Sequence, residues 1–371
     1  MSVNEDLFDA AVSHAIDLQR YSTWMVQRVI GLLNRTDNDL VAGLSAALER
    51  LPPESFTVER LEGLLTSVRQ INLQAYNQIE RELNEKLREF AAYEAQYQLQ
   101  LFQTTIPPQV VASVGVASVN LAQIEAAVFS RPFQGRLLRE WAQSIEADRM
   151  VRIRDAVRIG YVENQTIDQI VRRVRGTRAK GYSDGIIEID RRNAQAVVRT
   201  AVSHTAASAR DAFYEANTDL IKAVEWNSTL DSRTTPICQA RDKLRYHPVS
   251  HAPIGHKVPW LGGPGKAHWS CRSVGVPITK SWKELGVPIE DMTPTTRASM
   301  DGQVPAETTY SQWLQRQSAK RQDEVVGPTR GALMRTGKLE FDRLFDNRGQ
   351  YLTLDQLRER DASAFAKAGL E

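Results

Sequence analysis

Residues 226–277 read WNSTLDSRTTPICQARDKLRYHPVSHAPIGHKVPWLGGPGKAHWSCRSVGVP, and the reading of this stretch decides how the chain around it is organised. It holds both cysteines of the protein, Cys238 and Cys271, and four of its six histidines, His247, His251, His256 and His268. Six prolines and five glycines from Pro236 to Pro277 exclude a long helix. Proline removes a backbone donor and clashes with the preceding turn, and glycine is costly to order. Just upstream, Ala223-Val224-Glu225-Trp226 predicts a short strand, closed by the polar turn Asn227-Ser228-Thr229. Asp231 and Thr234 can bond nearby backbone groups, so Asp231-Ser-Arg-Thr234 predicts a tight, self-bonded loop. An irregular segment with so little apolar surface needs a clamp.

Cys238, His268 and Cys271 are suited to that role. A thiolate and an imidazole are borderline-soft ligands, and His268-x-x-Cys271 has the reach of half a zinc knuckle. A structural zinc would contribute on the order of 10 kcal/mol to folding such a loop. No Cys-x-x-Cys pair accompanies it, so the fourth ligand falls to Asp231 or to one of His247, His251 and His256. Two other readings stand beside the metal. The cysteines also suit small buried hydrophobes, and they could pair as a disulfide, although two cysteines in a chain this long suggest a reducing compartment.

Taken in order, Trp226, Asp231-x-Arg233-Thr234, Cys238 four residues on, a Pro/Gly-rich loop with Pro253-x-Gly255 and Pro259, and His268-x-x-Cys271-Arg272 resemble the signature of the phage Mu F-like minor head proteins, also called phage head morphogenesis proteins. Two positions depart from it. Ser273 stands where many members carry a second cysteine, and Arg241-Asp242-Lys243 replaces a common Leu-Asp-Gly. Upstream, Val198-Arg199-Thr200-Ala-Val-Ser-His204, Ala209-Arg210 and Tyr214-x-x-Asn217 also resemble the family. So does the later Trp313-Leu314 to Leu352-Thr353-Leu354 pattern, and the likeness covers about Phe133 to Leu357.

The 371 residues suffice for two or three domains, and the net charge of +2 gives no global field toward nucleic acid or membrane. No apolar run approaches the length of a membrane span, and the acidic, polar opening Met1-Ser-Val-Asn-Glu-Asp6 is unlike a signal peptide, so a soluble protein is expected. The fold class expected is mainly α with a small α+β domain. Its divisions are a helical arm or bundle over 1–108, a connector over 109–132, a Mu F-like domain over 133–280, a linker over 281–309 and a helical tail over 310–371.

Within the arm, Leu7, Ala11, His14, Leu18, Tyr21 and Met25 recur at helical spacing and Val29, Leu32 and Leu33 continue the stripe. A separate short helix is predicted from about Asn38 to Leu51. A long helix follows, capped by Thr57 and ended by Pro107, with Leu61, Val68, Tyr76, Leu83, Phe90, Tyr93 and Tyr97 on one stripe. Its roughly 48 residues would span about 70 Å at 1.5 Å per residue. Such a rod is either an ordinary bundle helix or an arm for docking and self-association. The small residues of 109–120 alternate as a strand would. Helices are predicted over 137–160, after the capping box Thr166-x-x-Gln169, over 190–217, and in the tail, where Gly327-Pro328 separates two and Thr353-x-x-Gln356 opens the last.

Arg172, Arg173, Arg175, Arg178 and Lys180 form the densest basic run. Cations are favoured at a helix C-terminus, and phosphate contact with duplex DNA is the sharper reading. The resemblance implies a non-enzymatic virion component, acting in capsid assembly, DNA packaging or DNA delivery. Its partners would be the portal protein, other capsid components and packaged double-stranded DNA, and its place the capsid interior near the portal after assembly in the host cytoplasm. The alternative is a metal-dependent nuclease or other DNA-acting enzyme, but Asp231 and Asp242 are the only carboxylates within the loop to serve a catalytic ion.

Overall fold

The computed structural model describes residues 3–50, 57–287, 296–305 and 307–370. It is mainly α, with a small antiparallel sheet and a helical C-terminal part. The chain forms two compact units that cut across the sequential divisions expected above. One comprises residues 1–17, 92–124 and 206–371; the other comprises residues 18–91 and 125–205.

Helix α1 (Val3–Glu49) and helix α2 (Val58–Thr105) run through parts of both units. α2 has its 48 expected residues, and the Thr57 hydroxyl accepts the Arg60 N–H at 3.2 Å as its cap. α1, by contrast, is one helix and not two. The polar run Asn34–Asn38 contains neither glycine nor proline, so nothing in it breaks the backbone ladder. The stripe on α2 also shifts: Tyr93 is exposed, and the buried line passes through Glu94, Gln98 and Phe102 instead. His14 of α1 explains the shift, since it bonds Glu94 and stacks on Tyr97 with ring centroids 3.9 Å apart.

Residues 108–114 are helix α3 (Pro108–Val114), where a strand-like connector was expected. Pro108 sits at the first helical position, where its missing N–H costs nothing, and Gly115 at φ 78° ends the turn. Helices α4 (Leu121–Phe129), α5 (Leu138–Val162), α6 (Ile167–Arg175) and α7 (Ile186–Ala216) follow. The Thr166–Gln169 capping box opens α6 as predicted.

In the second unit, Leu40, Leu44, Leu65, Val68, Ile153 and Val157 pack together, and a charged network is buried beside them. Asp37, from the run read as a helix break, bonds both Arg149 and Arg191, and Asp190 bonds Arg152. Arg149 and Asp190 are each 1% exposed, which a charged group tolerates only when paired.

In the first unit, β1 (Ile221–Asn227) is central in a sheet of order β3-β2-β1-β4. The neighbours are β2 (Arg245–Tyr246), β3 (Pro253–Ile254) and β4 (Val274–Thr279), all antiparallel. Trp226 lies opposite Gly275, where a side chain would press on Val224 at 3.0 Å. A hairpin, β5 (Thr296–Ser299) with β6 (Gly302–Pro305), occupies part of the expected linker; residues 288–295 of that linker lie outside the described residues. The tail carries α9 (Tyr310–Gln315), α10 (Ala319–Val326), α11 (Pro328–Arg335), α12 (Leu354–Arg360) and α13 (Ala362–Ala368), with its own core around Trp313, Leu333 and Phe341. Helix α8 (Pro236–Gln239) is a single turn inside the irregular segment.

Candidate metal centre

The segment between β1 and β4 is ordered by polar side chains. Asp231 accepts the Arg233 N–H at 3.0 Å and the Thr234 hydroxyl at 3.1 Å, forming the expected tight loop. The same carboxylate takes both arms of Arg272, at 2.5 and 2.8 Å, and so joins the two ends of the motif across 41 residues. Burial works to raise the Asp231 pKa, but the Arg272 guanidinium, the Thr234 hydroxyl and the Arg233 N–H outweigh it and hold the group below its ordinary value. Trp226 is fully buried, edge-on to Trp260 at 5.7 Å, with the Arg241 guanidinium over its ring.

Pro236 starts the turn that carries Cys238, and the Cys271 N–H bonds the His268 carbonyl at 3.3 Å in a turn that places Ser270 at φ 53°. These two turns bring three ligand atoms within 4.8 Å of one another: the sulfurs of Cys238 and Cys271 and a ring nitrogen of His268. Cys238 Sγ lies 3.1 Å from His268 Nε2 and 3.7 Å from Cys271 Sγ. Two thiolates bound tetrahedrally at about 2.3 Å from one ion would sit about 3.8 Å apart. A disulfide would need about 2.05 Å, and both cysteines are free. His268 Nδ1 is 2.9 Å from the Trp269 carbonyl, which can only accept, so Nδ1 carries the proton and Nε2 turns its lone pair to the sulfurs. That is the tautomer a metal ligand needs.

Contact with the Cys238 thiol and with His268 pulls the Cys271 thiol well below its ordinary pKa, against the effect of burial. Cys238 is pushed up, first by sharing that hydrogen bond and then by burial. Burial tends to lower the His268 pKa, and the neighbouring Cys271 overrides it and raises it. Of the two thiols, Cys271 is therefore the readier to meet a cation as thiolate. The residues present fit a borderline-soft ion such as zinc.

None of the residues expected to supply a fourth ligand belongs to this three-residue group. Both oxygens of Asp231 are held by Arg272. His247 Nδ1 accepts from the Val249 and Ser250 N–H groups, His256 bonds Arg245 and Val258, and His251 stacks on Trp260 at 4.7 Å. The oxygens at hand are the hydroxyls of Thr235, 2.9 Å from His268 Nε2, and of buried Ser273, which bonds the Cys238 thiol.

Sequence reasoning missed the residues of the Arg241-Asp242-Lys243 turn. Buried Arg241 donates to the carbonyls of Pro259, Ile237 and Arg348, at 2.9, 2.8 and 2.7 Å. Asp242 accepts the Ser228 and Tyr310 N–H groups, both at 2.8 Å. The departure from Leu-Asp-Gly was the available signal. The basic run belongs to the second unit, at the end of α6. Part of it is neutralised: Arg173 pairs with Glu163 at 2.5 Å, Lys180 lies 3.9 Å from Asp184, and Arg175 covers the Tyr182 ring. Arg172 and Arg178 remain exposed. Comparison with family models, with curated proteins and with solved structures finds no match for this chain. Among the described residues, no helix is long and apolar enough to cross a membrane.

Proposed function

We propose that the chain is a structural component of a phage head, of the Mu F-like minor head type, whose 226–277 segment is clamped by zinc. One observation carries this reading. The residues that bear the resemblance, Trp226, Asp231, Arg233, Thr234, Cys238, His268, Cys271 and Arg272, serve to hold one small domain together. The two cysteines are 2% and 1% exposed, so a bound ion would have little access to substrate. This supports a structural ion over a catalytic one, and a virion component over a nuclease.

On this reading the portal protein and other capsid components are the partners, the exposed Arg172 and Arg178 meet packaged duplex DNA, and the helical arm serves docking or self-association. The chain would act inside the capsid near the portal after assembly in the host cytoplasm. Mass spectrometry of gradient-purified particles from cells producing the chain in its phage context tests the proposal. A few copies per head are expected. Finding the chain only in the free lysate, with none in the heads, would overturn it.

A further inference from the structure

The second unit contains a cavity of about 530 Å³, within the range of small-molecule sites. It does not involve the metal centre and owes nothing to the phage-head reading. Its walls come from α2, the end of α4, the first turn of α5 and α7.

Three arginines face it, Arg88, Arg131 and Arg139, against one carboxylate, Glu80. Arg88 is engaged, 3.6 Å from Glu125 and over the Phe129 ring. Arg131 and Arg139 are exposed and have no ion-pair partner among the described residues. Arg139 is the second residue of α5, where the helix dipole is positive and a cation is disfavoured. The Glu140 and Trp141 N–H groups bond the Leu137 carbonyl and the Glu140 carboxylate accepts the Leu137 N–H at 2.7 Å, which leaves the Leu138 and Arg139 N–H groups without a partner among the described residues. Guanidinium forks beside free helical N–H groups make a receptor for phosphate.

The cavity also has an apolar, aromatic side, formed by Phe129, Phe133 and Leu138. That side is fixed in place. Phe133 pairs with Arg136 across a tight turn holding Gln134 at φ 49° and Gly135 at φ 84°, and the Trp141 indole N–H donates to the Phe133 carbonyl at 3.1 Å. Also on the lining, half-buried Asn84 offers a donor and an acceptor, and Thr205, 1% exposed, has a hydroxyl without a hydrogen-bond partner among the described residues. An anion receptor, an apolar aromatic wall and a donor–acceptor pair suit one ligand chemistry.

We propose that this cavity binds a nucleoside phosphate, with its phosphate at Arg131, Arg139 and the α5 N-terminus and its base against Phe129 and Phe133. The ligand is either a free mononucleotide or the 5′-phosphorylated end of a strand. Isothermal titration of the full chain with AMP, inorganic phosphate and a 5′-phosphorylated hexanucleotide tests it. AMP should bind at least tenfold more tightly than phosphate alone. The Arg131→Ala/Arg139→Ala double variant, whose exposed side chains leave the fold intact, should weaken AMP binding at least tenfold. Thr205→Val should weaken AMP and spare phosphate. A hexanucleotide that outcompetes AMP identifies a strand end, and equal affinity identifies the free nucleotide. No heat with AMP or hexanucleotide at millimolar concentration, binding unchanged in the double variant, or saturation by a glutamate-rich peptide in place of both would overturn the proposal.

Discussion

The helical second unit and the irregular 226–277 segment of the first unit are ordered by opposite means. In the helical unit, apolar residues at helical spacing fill the core and, among the described residues, buried charge is gathered in the Asp37, Arg149, Asp190, Arg152 and Arg191 network. In the irregular segment, regular backbone is confined to a few strand residues and a single turn, and polar side chains fix the chain path. The Asp231–Arg272 fork, the three carbonyls held by Arg241 and the Cys238–His268–Cys271 group do there what periodic burial does in the helices. The difference teaches that losing one polar group should act locally and steeply in the segment. In the helical unit the damage should depend on whether a buried charge is left alone.

The largest effect is expected at the metal centre. Wild type purified without a metal-affinity column should carry about one zinc per chain, and Cys271→Ala should carry none. Metal loss should remove on the order of 10 kcal/mol from the irregular segment. Calorimetry should then separate a low-temperature transition of the first unit from an unchanged one of the second. A metal-free wild type that melts like the variant would remove the clamp from the comparison.

Next comes the buried network. Arg149→Met leaves Asp37 and Asp190 buried with fewer partners, and such removals cost about 3–5 kcal/mol. Urea denaturation should show a lower midpoint at unchanged slope. A cost below about 1 kcal/mol would mean that water reaches the site and the network does not organise the unit.

Smaller again is the fork. Arg272→Ala should cost about 2 kcal/mol, discounted because both groups are partly exposed, and Arg272→Lys should recover only part of it, since lysine lacks the planar pair of donors. The pH dependence has a fixed sign. The folded Asp231 pKa lies below the ordinary 3.8, so the pair's contribution is complete above that value and fades as pH falls below it. The gap between wild type and Arg272→Ala should therefore close on acidification. A gap independent of pH would assign the loss to packing.

The two regions were also unequally legible. Capping residues and apolar spacing located α2, α6 and α12 because a helix is specified by residues near each other in sequence. The same rule misread Asn34–Asn38 as a break and Tyr93 as buried, since the partners of Asp37 and Glu94 lie far along the chain. In the irregular segment the motif nominated Cys238, His268, Cys271, Asp231 and Arg272, and residue chemistry suggested their roles. Which of them meet could not be read, because a Pro/Gly-rich path has no period. Asp231, one of four residues offered as a fourth ligand, is thus found paired with Arg272.

The smallest predicted effect probes that non-periodic path at a single backbone angle. Lys243 sits at φ 65°, where glycine is at ease and another L-residue costs about 1 kcal/mol. Its N–H bonds the Trp226 carbonyl at 2.7 Å, so the turn cannot relax without releasing β1. The side chain compensates by pairing with Glu225 at 2.9 Å and covering the Phe8 ring. Lys243→Ala removes the contacts and keeps the strain; Lys243→Gly removes both. The glycine variant should therefore be the more stable of the two by about 1 kcal/mol, and close to wild type. Equal melting of the two variants would show that the turn carries no backbone strain, and that side-chain bonds alone set the path of the segment.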